Sequence, residues 1–119
     1  MSNEWIGVDL DGTLAECDGW ENSNHIGKPV PLMLDRVKRW IAEDINVKIF
    51  TARVSSKNPN KDEEYKIIKD WCKKYVGVEL DITAEKDFYM FELWDDRCVP
   101  VEINTGLIMS TERLQREDI

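Results

Sequence analysis

The chain has 119 residues, room for one domain with one core and none for a second. A hydrophobic fraction of 42% argues for a packed globule and against disorder. A net charge of -8 disfavours binding to the polyanionic backbone of a nucleic acid, yet leaves room for a small phosphorylated ligand where Mg²⁺ or a lysine reverses the sign locally.

Residues 4–9 read as strand one, a nearly continuous apolar run of the kind buried in parallel sheets. Residues 15–28 are polar, aperiodic and contain two glycines, so they read as a loop or small flap. A helix is expected from the Pro29–Pro31 region, with Val30, Met33, Leu34, Val37, Trp40 and Ile41 on one face. Residues 46–51 form strand two, and residues 52–60 a polar loop. A second helix over residues 61–75 turns Tyr65, Ile68, Trp71, Cys72 and Tyr75 inward and stops at Gly77. Residues 78–83 and 91–94 are strands three and four, and residues 99–103 a fifth. A turn at residues 104–106 and a short tail helix from Leu107 complete the reading.

This alternation predicts a single α/β domain over residues 1–119. A mostly parallel, five-stranded sheet would sit in a three-layer, Rossmann-like arrangement. No signal-peptide pattern and no membrane-length apolar run is present, so the protein is expected in the cytoplasm. Cys17, Cys72 and Cys98 are odd in number and form no CxxC pair. With the lone His25 they make a poor zinc set and read as reduced thiols, with Cys72 in the core.

Ligands of such sheets bind beyond the carboxyl ends of the strands. Three strands end there in reactive groups: Asp9 with Asp11, Thr51, and Asp95-Asp96. A carboxylate on Asp9 can attack phosphorus or hold a metal, while Asp11 protonates the leaving oxygen, activates water or shares the metal. Gly12 lets the backbone approach a phosphate closely. Two unit charges about 4 Å apart at an effective dielectric of about 20 repel by roughly 4 kcal/mol, so an anionic nucleophile facing a phosphate calls for a cation. Mg²⁺ held by Asp9, Asp11, Asp95 and Asp96 would supply it. The hydroxyl of Thr51 and the amides of Ala52 and Arg53 can bond phosphate oxygens. Lys86 can neutralise the transferring group, with Lys57, Lys73 and Lys74 as competitors. Taken one by one, these residues are equally an acidic turn, a strand threonine and a solvated lysine.

As an ordered set, Asp9-Leu10-Asp11-Gly12-Thr13-Leu14, Thr51, Lys86 and Asp95-Asp96 resembles the four motifs of the haloacid dehalogenase-like (HAD) superfamily. Thr51-Ala52-Arg53 and Trp94-Asp95-Asp96-Arg97 resemble its small bacterial and phage members. The resemblance implies Asp9 as nucleophile, Asp11 as acid/base, Thr51 as phosphate ligand, Lys86 as stabiliser of the phosphoryl group and the late acidic pair for Mg²⁺. It also implies strand one flanked by strands two and four. The intervals between motifs hold no cap domain, so the site stays open. Its substrate would be a nucleotide or other small phosphorylated metabolite, with a nucleic-acid end or phosphoprotein as the alternative. An open site is also compatible with a homodimer.

Around the mouth, Trp20, His25 and Lys28 are flap residues within reach of a substrate, or simply exposed loop residues. Arg53 fits a phosphate or carboxylate, or a salt bridge to an acidic neighbour. The other tryptophans read as core. Two further functions remain in view. A phosphoacceptor receiver domain would carry its acidic pair early, the reverse of this order. A catalytically silent phosphate-binding domain would keep the fold without turnover.

Overall fold

A computed structural model of the protein describes residues 3–17 and 25–109. Four strands form one parallel sheet: β1 (Trp5–Asp9), β2 (Asn46–Phe50), β3 (Asp81–Thr83) and β4 (Met90–Trp94), in the order β3-β2-β1-β4. Helix α1 (Pro31–Ala42) connects β1 to β2, and helix α2 (Lys61–Tyr75) connects β2 to β3. A single 3₁₀ turn, Ala52–Val54, leaves the end of β2.

The pleat sorts the side chains. Register pairs Ile6 with Val47 and Val8 with Ile49, and Ile49 with Ile82, which lines one face with branched apolar residues. Those residues share one buried cluster with Met33 and Val37 of α1 and with Ile68, Trp71 and Cys72 of α2. Fully burying a side chain such as Val37 or Ile68 contributes about 1.5–3 kcal/mol. Both helices therefore lie on the same face, as two right-handed crossovers running in one direction require. Pro31 starts α1 at a position where its missing N–H costs nothing. Trp40 of α1 meets Trp94 of β4 edge-on at 5.1 Å, tying the helix to the far strand. At the end of α2, Gly77 N–H donates to the Cys72 carbonyl at 2.9 Å, which ends the helix where the sequence suggests.

The opposite face is built differently. β3 and β4 sit at opposite edges of the sheet, yet only six residues, 84–89, join them. That is too few for a helix. The connection is fastened instead by polar contacts: Trp5 Nε1 donates to Asp87 Oδ1 at 2.8 Å and Trp5 N–H to the Tyr89 carbonyl at 3.0 Å. Lys48 stands 3.9 Å from Asp87 Oδ2 and 4.6 Å from the centre of the Trp5 ring. Among the described residues the domain thus has two layers, sheet and helices, where three were expected.

Among the described residues the sheet has four strands, not five. Residues 99–103 do not join β4. Pro100 lacks an N–H for a ladder, and Asn104 adopts a φ of 66°, doubling the chain back. Val101 then bridges Ile108 in antiparallel fashion, with Met109 N–H donating to the Pro100 carbonyl at 2.9 Å. The turn expected at residues 104–106 is present. Residues 107–109 are not helical, and the remainder of the expected tail helix lies outside the described residues. No helix among the described residues is long and apolar enough to cross a membrane.

Candidate functional site

The loop after β1 is pinned from below. Leu10 and Leu14 are fully buried, and the Leu10 carbonyl accepts from Leu14 N–H at 3.0 Å and Ala15 N–H at 2.8 Å. Between these anchors the chain places Asp11, Gly12 and Thr13 at the carboxyl end of the sheet. Both ends of the flap are paired: Glu16 N–H donates to the Lys28 carbonyl at 2.8 Å, and Ala15 bridges Pro29. Trp20 lies outside the described residues.

β4 runs beside β1 and delivers Asp95 and Asp96 next to Asp9. One carboxylate oxygen from each of the three lies within 4.8 Å of the others, close enough to share a single metal ion. Thr13 stitches the cluster together. Its hydroxyl reaches Asp9 Oδ2 at 3.1 Å and Asp96 Oδ1 at 3.2 Å, and it accepts from the Asp96 N–H at 3.0 Å. Gly12 has a φ of 91°, and a Cβ there would fall 2.7 Å from Asp96 Oδ2. Only glycine lets the first loop come this close to the acidic pair. Burial, the adjoining Asp96 carboxyl and the Asp95 charge push Asp9 up to about 7, against the opposing pull of the Thr13 hydroxyl. Asp9 therefore resists ionisation beside the acidic pair unless a cation joins them.

Asp11 faces the other way, into a buried ion-pair network. Arg53 forks onto it, with Nε donating to Oδ2 at 2.7 Å and Nη2 to Oδ1 at 2.9 Å. Arg53 Nη1 donates to Glu64 Oε2 at 3.0 Å, and Nη2 also donates to the His25 carbonyl at 2.7 Å. Burial works against the Arg53 charge, but Asp11 and then Glu64 more than offset it, holding the guanidinium above its ordinary range. Arg53 is positioned by the 3₁₀ turn that Thr51 caps: Thr51 Oγ1 accepts from Arg53 N–H at 3.2 Å, and Thr51 N–H donates to the Thr83 carbonyl at 2.9 Å.

The structure brings together Asp9, Asp95, Asp96 and Gly12 from the sequence-derived set, with Asp11 and Arg53 paired beside them. Thr51 is buried at the end of β2, adjacent to β1, and Ala52 is exposed after it. Lys86 is exposed on the connection between β3 and β4, and no hydrogen bond or ion pair joins it to Asp9, Asp11 or the acidic pair. Of its competitors, Lys73 pairs with Glu79 at 3.0 Å on the outer surface of α2. The salt-bridge alternative for Arg53 is the one observed. Arg97 is exposed, and its N–H donates to Asp95 Oδ1 at 2.8 Å. The His25 and Lys28 side chains are exposed. Cys72 is buried as expected, which pushes its thiol up to about 11, while Cys17 and Cys98 are exposed.

Two residues escape the sequence reading. Thr13 stands there only within the Asp9–Leu14 motif and is given no role of its own, although it follows Gly12 directly in the acidic loop. Glu64 occupies the apolar stripe of α2, four residues before Ile68, and a charged residue on such a stripe is itself a signal.

No family model matches the chain, and no curated protein matches its sequence. Among solved structures, a conserved protein from Bacteroides thetaiotaomicron is similar over 79% of this chain and 76% of its own, with 22% identity and a TM-score of 0.56. At that identity the likeness is one of fold.

Proposed function

We propose that the protein is a Mg²⁺-dependent phosphomonoester hydrolase of the HAD type, with a small phosphorylated metabolite such as a nucleotide as substrate. The observation that carries this reading is the convergence of Asp9, Asp95 and Asp96 at the carboxyl ends of adjacent parallel strands. Asp9 attacks phosphorus, and the leaving oxygen departs with a proton from Asp11. The Asp11 carboxylate then takes a proton from water, which cleaves the aspartyl-phosphate and releases phosphate, restoring both residues. Mg²⁺ on Asp9 and the acidic pair supplies charge neutralisation between nucleophile and phosphate. Thr51, the amides that follow it and Lys86 are the proposed phosphate contacts, Lys86 on chain order alone.

The test is phosphate release from an aryl phosphate, with and without Mg²⁺. Activity should require the metal and vanish in Asp9→Asn while the fold persists. Undiminished turnover by that variant would sink the mechanism. One observation favours a second reading, a domain that binds phosphate without turning it over: both Asp11 oxygens are already engaged by Arg53. A wild-type protein that binds phosphate and Mg²⁺ but releases nothing from any substrate would select it.

A further inference from the structure

Glu64 is a buried charge for which the proposed chemistry has no use. Its side chain is 2% exposed, Arg53 Nη1 is its hydrogen-bond donor, and Oε1 is buried with no partner among the described residues. A buried ion pair with an orphan oxygen is a poor source of stability, because an apolar side chain of similar volume does as well or better. Nor is Glu64 needed to complement the helix dipole. Asp62 and Glu63 already place exposed carboxylates in the first turn of α2, while Glu64 points inward.

Its partner explains its place. Arg53 presents one edge to Glu64 and the other, as a two-point fork, to Asp11, and the same Nη2 holds the His25 carbonyl at the returning end of the flap. A guanidinium is a rigid plane, so fixing one edge fixes the other. We propose that Glu64 is a positioning residue: through Arg53 it sets the rotamer of Asp11 and the seat of the flap at residue 25. The inference rests on the reading of Asp11 as general acid/base.

The test uses substituted phenyl phosphates of increasing leaving-group basicity. A working general acid makes kcat/KM nearly insensitive to that basicity, whereas a missing or misplaced one leaves basic leaving groups slow. Wild type should give a shallow dependence and Asp11→Asn a steep one. Glu64→Leu should also be steep, losing about 10- to 100-fold on the most basic leaving group and little on p-nitrophenyl phosphate, the scale of a misplaced catalytic group. Glu64→Gln keeps an acceptor for Arg53 Nη1 and should return the dependence to near wild type. If Glu64→Leu does not fold, Arg53→Lys takes its place, since an ammonium keeps the charge but lacks the fork. The Mg²⁺-induced rise in melting temperature should be unchanged in Glu64→Leu.

A uniform loss at every leaving group, or a Gln variant as steep as Leu, overturns the positioning role. An Asp11→Asn variant with the wild-type dependence, or a wild type without Mg²⁺-dependent release, overturns the parent reading and this one with it. A steep Asp11→Asn beside a shallow Glu64→Leu overturns this inference alone.

Discussion

Three carboxylates drawn together without a cation should leave a mark on stability. Asp9 rises from an ordinary 3.8 to about 7, so between those values the folded protein holds a proton that the unfolded chain has lost. More protons on the native state means that stability falls as pH rises through this window. Across the part of this window that lies above pH 5, the effect would be roughly 3 kcal/mol if nothing screened it. Asp9 is only half-buried, and solvent screening reduces this to about 1–2 kcal/mol. For a chain of this size the expected fall in melting temperature is about 3–10 °C. The assay is thermal unfolding in EDTA at pH 5 and pH 8. Glu79 and Asp87 do not confuse the comparison: both are held low by their partners, so their contributions are complete before pH 5. Asp9→Asn should abolish the decline, and Asp96→Asn should shrink it by removing a neighbour that raises Asp9. Mg²⁺ should reverse it, with a larger stabilising effect at pH 8 than at pH 5, because protons and metal compete for the same oxygens. Melting temperatures in EDTA that are flat or rising from pH 5 to pH 8 would refute the reasoning.

Three further outcomes are expected. Arg53→Met strands two buried carboxylates and should cost about 3–5 kcal/mol by urea unfolding, whereas adding Glu64→Met should recover part of that loss. Full stability in the single variant would contradict the network. Gly12→Ala forces a Cβ against Asp96 Oδ2 at a backbone angle that side chains avoid. It should weaken Mg²⁺ binding at least about tenfold by calorimetry, in keeping with a displaced ligand. Thr13→Val removes the hydroxyl shared by Asp9 and Asp96 and should lower Mg²⁺-dependent turnover, with an unchanged rate arguing against its bridging role.

Much of the architecture was legible because its core is periodic. The stripe through Met33, Val37 and Trp40 and the stripe through Ile68, Trp71 and Cys72 located both helices, and the second was bounded at Lys61 and Tyr75 as observed. β1, β2 and β4 likewise announced themselves as apolar runs ending in polar residues. The fifth strand failed because Val99, Val101 and Ile103 satisfy strand composition while Pro100 and the turn that follows forbid the ladder. The missing third layer was harder to see, since it depends on how few residues cross from β3 to β4. At the site, the acidic residues stood out because carboxylates at strand ends are unusual. The Arg53–Glu64 pair did not, because its members are eleven positions apart and meet only once α2 packs on the sheet.

The acidic pair rides on a strand at the edge of the sheet. β4 is an edge strand, Trp94 is its one member packed against the main cluster, and its partner β1 precedes it by more than eighty residues. Such a strand can open locally while both helices and the other strands stay folded, and each opening would take two of the three carboxylates away from Asp9. Amide exchange along residues 90–94 therefore gauges how often the site exists at all. A cation bridging β1 and β4 would slow that exchange at the edge while leaving the interior of the sheet unmoved.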